Sequence, residues 1–344
     1  MRPNLIVSLL IASLVAVVAS KITYFGFTPN YESEMFSVND FKFRFAFDVY
    51  KYRIFGKYLL YSMDSVLKNR VADKPAEPRL EAQVRGASER FYYAYYYLNT
   101  IFLILTNIMI VLLGRLKGAY NWTLTEQNLL LFLIPAVVAL SEFTVGMYDV
   151  SSYFFELLIL YLFLKYYPVE RWLSIATIGA LIALSTTNIE SSGLFVAILA
   201  VLLLARYGIS KRVIIDISIL AFCFVAPYLA LRYAIQDPFH LSITNKDAGK
   251  ILKGINLYGL LFWGLFLYLP IAISNSLENR LLIGLFLLFS APYIFNCFKG
   301  GVLWEVRLFM PLFLGSLFLS KLDVSKNVLR LSGLLPKRIF ILDR

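Results

Sequence analysis

The groups able to do chemistry in this chain are few, and most are carboxylates and guanidinium groups set among apolar neighbours. Asp149, Glu190, Glu305 and Arg307 border or enter apolar runs, and Glu142, Asn188, Asp237 and His240 lie in the same short connections. An ionised side chain at membrane depth is costly unless paired or hydrated, so such positions are strong functional pointers, although short loops also expose polar residues for no further reason. Arg307 requires an acidic partner. Glu305, two positions away, points elsewhere on a helix, which leaves Asp149, Glu142 or Glu190. A second group, Lys51, Arg53 and Lys57, lies in a segment rich in aromatics. These residues are either snorkelling side chains of an interfacial helix or a phosphate clamp, since guanidinium offers a planar fork that pairs with two phosphate oxygens at once.

Other chemistry is poorly supplied. The single histidine, His240, excludes zinc centres built on several imidazoles and most serine triads. Cys223 and Cys297 both sit in apolar runs and suggest neither a disulfide framework nor a thiolate metal site. There is no phosphate-binding glycine loop, no G-x-S-x-G elbow and no CxxC pair, and no nucleic-acid partner is expected. Asp216 follows Arg212 by four residues, an ordinary helical ion pair. Glu156 lies deeper in its apolar run, buried protonated or paired.

The elements that must position these residues are membrane helices. The chain has 344 residues, 59% hydrophobic and only 16% charged, with a mean hydropathy of +0.70. An all-α polytopic membrane protein is expected, with lipid as its surroundings. A crossing of a hydrocarbon core of roughly 30 Å takes about 20 apolar residues. Near-spans recur at 4–20, 94–113, 128–143, 152–167, 172–187, 191–205, 213–231, 255–273, 281–298 and 302–320. About ten transmembrane helices follow, or eight if the short third to sixth runs are broken helices that do not fully cross. Arg2 and the apolar run after it outline a signal peptide or a first membrane helix, and the uncleaved helix is the favoured reading because further spans follow. Residues 1–320 then form one transmembrane domain that includes a long polar loop, 21–90, and 321–344 form a cytoplasmic tail, with Lys321 at an aqueous end. Within that loop Tyr52, Phe55 and Leu59 fall at i, i+3 and i+7, the pattern of an amphipathic helix lying in the interface.

Charge sets the orientation. With the N-terminus inside, fifteen lysines and arginines fall on the cytoplasmic side and five in the opposite short loops, the bias that governs membrane orientation. Both termini are then cytoplasmic, and loop 21–90 is extracytoplasmic. The aromatic run Phe91 to Tyr97 would mark the outer interface. Asn121-Trp122-Thr123 fits a glycosylation sequon but falls on the cytoplasmic side.

One helix, a long external loop with amphipathic and acidic elements, then many helices whose outer ends carry scattered charges: this arrangement resembles the GT-C class of membrane glycosyltransferases. Tyr52-Arg53-Ile54, Asn188-Ile189-Glu190 and Trp304-Glu305-Val306-Arg307 are also similar to recurring pieces of bacterial multi-pass cell-envelope proteins. The resemblance implies an enzyme of the bacterial inner membrane that takes a sugar from a polyprenyl-phosphate donor and gives it to a glycan, lipid or protein acceptor. It implies a catalytic carboxylate in the first external loop, for which Glu34, Asp40 and Asp48 are the candidates. The family's adjacent acidic pair or Asp-x-Asp is absent from that loop. Lys51, Arg53 and Arg307 would stabilise the departing phosphate, while Asp149, Glu190 and Glu305 hold the arginines or bind acceptor hydroxyls. No cofactor is required, although a divalent cation could join through the carboxylates. A polysaccharide polymerase or lipid-linked glycan flippase would share this composition. A small-solute transporter would instead place its charges near the bilayer midplane, on broken helices.

Overall fold

The computed structural model describes residues 4–26, 37–47, 49–71, 88–116, 118–141, 146, 148–235, 254–300, 303 and 305–323. Among these, regular structure is helical apart from isolated bridges such as Tyr120 with Leu322. The helices are α1 (Leu5–Gly26), α2 (Val38–Phe47), α3 (Ile54–Leu67), α4 (Glu89–Gly114), α5 (Leu124–Ser141), α6 (Asp149–Tyr166) and α7 (Arg171–Thr186). They are followed by α8 (Gly193–Tyr207), α9 (Lys211–Ala234), α10 (Gly254–Ala272), α11 (Leu277–Phe289), α12 (Ala291–Gly300) and α13 (Met310–Ser320). Short 3₁₀ turns lie at Val49–Tyr52, Glu190–Ser192 and Val306–Leu308.

Each apolar run of the sequence becomes a helix, but the helices differ in reach. Four are long and apolar enough to cross a membrane: α1, α4, the stretch Glu190–Tyr207 containing α8, and α9. A fifth crossing arises if α11 and α12, bent by 58° at Ser290, act as one. Among the described residues the other helices do not combine that length with so apolar a composition, and some are simply short. At about 1.5 Å per residue, the 16 residues of α7 reach only about 24 Å.

Packing is built on close approach. The face of α1 that meets α4 and α5 repeats every fourth residue, Ser8, Ala12, Ala16, Ser20 and Tyr24, and all five are buried. Small side chains at that spacing let two backbones come near in an environment where lipid supplies little hydrophobic drive. Polar bonds then pin the seam: Arg115 donates to Ser8 Oγ, Asn107 to the Ala12 carbonyl and Thr100 to Ser20 Oγ.

Four expectations change. The helix expected to carry Tyr52, Phe55 and Leu59 holds only the last two, because the chain turns through the Val49–Tyr52 3₁₀ segment before α3 begins. Tyr52 is buried, and Phe55 and Leu59 pack against the core. The aromatic run of α4 is mostly interior, since α1 and α3 flank that helix. Phe41 sits edge-on between Tyr61, Phe91 and Tyr95, and Tyr24 meets Tyr92 and Tyr96. Lys321 is not a solvent-facing side chain: it is nearly buried, ion-paired with Glu126 at 2.7 Å and bonded to Asn275. Asp216 pairs with Arg171 and accepts from Tyr167, not from Arg212, because α7 and α9 pack against each other and bring Arg171 alongside.

Candidate functional site

Three helical elements start at one place. Asp149 is the first residue of α6, Glu190 opens the 3₁₀ turn leading into α8, and Glu305 precedes the turn leading into α13. Each carboxylate thus stands at a helical N-terminal end, where unsatisfied N–H groups favour negative charge. Within a bilayer, backbone outside the α-helical ladder is tolerated only where protein buries it or a cavity hydrates it. Here side chains hold it. Asn188 Nδ2 donates to the Tyr148 carbonyl at 2.9 Å and to Ser151 Oγ at 2.8 Å. Tyr153 and Tyr293 hydroxyls donate to the carbonyls of Arg307 and Leu308, fixing the last turn before α13.

Into this frame come two arginines from distant parts of the chain. Arg307 Nη1 donates to Asp149 Oδ2 at 2.9 Å, and its Nε and Nη2 donate to Glu305 Oε2 at 2.9 and 2.8 Å. All three side chains are largely buried, at 9%, 8% and 13% exposure. Asp149 is one of the partners expected for Arg307. Glu305 is the surprise: residues 306–308 form a 3₁₀ turn, not an α-helix, so the i, i+2 geometry that would have separated the pair does not apply. Gly146 is part of the fit, since a Cβ there would stand 2.3 Å from Asp149 Oδ2.

Arg53 arrives from the first polar loop. It immediately precedes α3, which is docked by Phe55 N donating to the Thr187 carbonyl at 3.1 Å. Its guanidinium lies over the Tyr148 ring, 3.8 Å from the centroid, and meets Glu190 at 3.4 Å. Burial and the neighbouring Arg307 work to lower its pKa, but the electrostatic pull of Tyr148, Glu190 and Asp149 outweighs that and holds it above its ordinary value, so the group remains a cation. Arg307 also touches Tyr148, through its hydroxyl at 3.3 Å. Tyr148 is therefore the partner shared by both arginines.

Of the residues singled out from the sequence, Arg53, Asp149, Glu190, Glu305 and Arg307 converge here. Lys51 is placed beside the Tyr52 ring. Glu34, Asp48, Glu142, Asp237 and His240 lie outside the described residues, and Asp40 is described only as a backbone position in α2. Sequence reasoning gave Tyr52 only as one position of an amphipathic face, and missed Tyr148 and Arg232. The last lies over both Tyr52 and Tyr228, which puts a third guanidinium beside the first-loop segment. A usable signal was the tyrosine directly before Asp149 and before Arg53. Among the described residues, no three His, Cys, Asp or Glu side chains converge as a metal site would require.

Chemically, the arrangement presents buried guanidinium groups held ready by carboxylates and tyrosine faces at one end of the helical bundle. It can bind an oxyanion that displaces a carboxylate. No protein-family model, curated protein or solved structure matches the chain, so these residues stand without a family to interpret them.

Proposed function

We infer that the protein is a membrane glycosyltransferase that takes a sugar from a polyprenyl-phosphate donor and passes it to a glycan, lipid or protein acceptor on the extracytoplasmic side. The observation that carries this reading is the position of Arg53, which the first polar loop delivers against Glu190 and Tyr148. Its ion pair with Glu190 is the longest at the site, at 3.4 Å, and Glu190 is its most exposed carboxylate, at 30%. A donor phosphate entering there exchanges with Glu190 for the guanidinium fork. In the reaction the acceptor oxygen bonds to the anomeric carbon while the bond from that carbon to the phosphate oxygen breaks. Glu34, Asp40 or Asp48 takes the acceptor proton. The phosphate leaves as an anion, stabilised by Arg53 with Lys51 and Arg307 nearby. Asp149 and Glu305 keep Arg307 in place, and a divalent cation is optional. The topology that goes with this reading has ten crossings, both termini in the cytoplasm, and a bacterial inner membrane as its location.

Transport is the second reading, and Glu156 favours it. This carboxyl lies two turns into α6, is 2% exposed, and neither oxygen has a hydrogen-bond partner. A buried carboxyl far from the helix ends is what a proton- or cation-coupled carrier requires.

The test is release of polyprenyl phosphate from a panel of labelled polyprenyl-phosphate sugars by purified protein in lipid. Arg53→Ala should abolish release in a protein that still folds. Arg53→Lys should restore part of it, because ammonium keeps the charge but loses the fork. Loss of the general base typically costs 10²–10⁴-fold, so one of Glu34→Gln, Asp40→Asn and Asp48→Asn should fall by about that factor. A parent protein that releases nothing from any donor, yet moves a solute across vesicles in a manner lost in Glu156→Gln, would replace the transferase with a carrier.

A further inference from the structure

The middle of α6 carries an acid that the arginine site does not use. Glu156 is 2% exposed, and neither of its carboxyl oxygens has a hydrogen-bond partner among the described residues. It shares a helix face with Asp149 and Tyr153, at i−7 and i−3. Both of those meet Arg307, Asp149 through its carboxylate and Tyr153 by donating to the backbone carbonyl. The face is therefore the one that α6 turns toward the chain entering α13. Seven residues beyond Asp149, about 10 Å along the helix axis, Glu156 reaches Gly315 of α13. A Cβ there would stand 3.2 Å from Glu156 Oε1 and 2.7 Å from the Phe286 ring of α11, so the carboxyl and the ring converge on the space that the glycine leaves.

No charge on the surrounding helices compensates it. α13 has no titratable side chain. Those of α4 stop at Tyr97, α7 has only Arg171 at its start, α8 has only Arg206 and Tyr207 at its close, and Glu278 and Arg280 lie in the first turn of α11. At the arginine site, Arg307 is taken by Asp149 and Glu305, and Glu190 by Arg53. A carboxylate left alone in such surroundings sheds its charge by taking a proton. A metal cation is no substitute, because it needs several oxygens around it and Oε1 lies against a glycine beside an aromatic ring. The uncharged acid fits the packed helices, whereas the carboxylate fits only when they part and admit water. We propose that Glu156 is a proton-binding site gated by the crossing of α6 and α13: the closed crossing holds the acid with its proton, and local opening exchanges that proton with water. The proposal concerns this crossing alone and is independent of the glycosyl-transfer reading.

Infrared spectroscopy of the purified full chain in lipid tests this. The difference between the parent and Glu156→Gln at neutral pH should show the carbonyl stretch of an uncharged carboxyl, and that band should shift in heavy water as the proton is replaced. Carboxylate stretches in its place, or a carbonyl band that never shifts, overturn the proposal. Asp149→Asn unties α6 from the turn before α13 and should speed the shift several-fold, whereas Asp216→Asn, which breaks the buried pair with Arg171, should not. Equal rates in the parent and Asp149→Asn, or equal acceleration by both variants, overturn the gate. A measurement on the parent alone covers a glutamine variant that folds poorly. Dicyclohexylcarbodiimide takes the acid proton onto one nitrogen while the carboxyl oxygen bonds to its central carbon, and the adduct rearranges to a stable N-acylurea with no leaving group. Peptide mass spectrometry should find that adduct on Glu156, with labelling that falls as pH rises, and a charged, water-soluble carbodiimide should leave the residue unmodified. No adduct from the hydrophobic reagent overturns the proposal, and labelling by the charged one overturns the gate.

Discussion

Arg307 holds two carboxylates of opposite origin, one from α6 and one from its own turn, and its removal would leave Asp149 and Glu305 buried together without their cation. Breaking a buried pair in this way typically costs about 3–5 kcal/mol. Arg307→Ala should therefore lose folded yield and thermal stability in detergent by an amount in that range. Arg307→Lys should recover only part, because one ammonium cannot reach both carboxylates with the same geometry. The comparison belongs with the half-buried Arg206→Ala, which should be close to neutral. Lys321→Ala is no neutral control, since that lysine is nearly buried and paired. If Arg307→Ala melts with the parent, the arginine is only snorkelling. At this scale the sequence was legible where charge demands a partner: an arginine beside an apolar run needs a carboxylate, and Asp149 was among the few on offer. It was illegible where the partner is a ring. A tyrosine stands directly before Asp149 and before Arg53, but that adjacency does not say on which ring a guanidinium rests.

Helices α7 and α9 meet at a glycine. A Cβ on Gly179 would lie 2.8 Å from Cys223 Sγ but 3.7 Å from Cys223 Cβ, so the obstruction is the sulfur alone. Gly179→Ala should destabilise by about 1–3 kcal/mol, the usual cost of overpacking. Adding Cys223→Ala should return most of it, and thermal melts of the two single variants and the double decide the matter. Additive losses would mean that the contact is not what limits this packing. A second element-scale device joins α5 to the chain beyond α13. Thr123 and Glu126 cap α5 reciprocally, and Lys321 reaches the same carboxylate. Burial raises the Glu126 pKa, but hydrogen bonds from Lys321 and Thr123 outweigh it and hold the carboxyl below its usual range. A depressed folded-state value gives stability that is present above the unfolded value of about 4.3 and is lost as pH falls through the folded one. Melting temperature should thus hold from neutrality to about pH 5 and then fall, and Glu126→Gln should start lower and show a shallower acid decline. Parallel curves for parent and variant would remove Glu126 from the acid response. The positions of the helices were legible from apolar runs alone, because burial and lipid demand the same composition. Their breaks were not. The 3₁₀ turns at 49–52, 190–192 and 306–308 hold no proline or glycine themselves, and Gly193 and Pro311 beyond the last two mark a helix start without marking the turn before it.

Across the whole molecule, the polar bonds between helix ends fall into two sets. One gathers Ser8 with Arg115, Arg171 with Asp216, Asn275 with Ser320 and Asn121 with Lys321. The other gathers Tyr24 with Tyr92, Arg53 with Glu190, Asp149 with Arg307 and Asn256 with Leu303. Each bond joins ends that strict alternation of the apolar runs would put on the same side. Which set meets the cytoplasm is a matter of charge: the short connections of the first set carry most of the lysine and arginine, and such loops stay inside during insertion. A reporter active only in the cytoplasm should therefore work when fused after Arg344, and one that requires export should work when inserted near Ala76. The inverse pattern of activity would place Arg53, Glu190 and Arg307 on the cytoplasmic side. A polyprenyl-phosphate sugar presented from the outer leaflet could not then reach the arginines, and the transferase reading would fall with the topology even if every contact at the site stood.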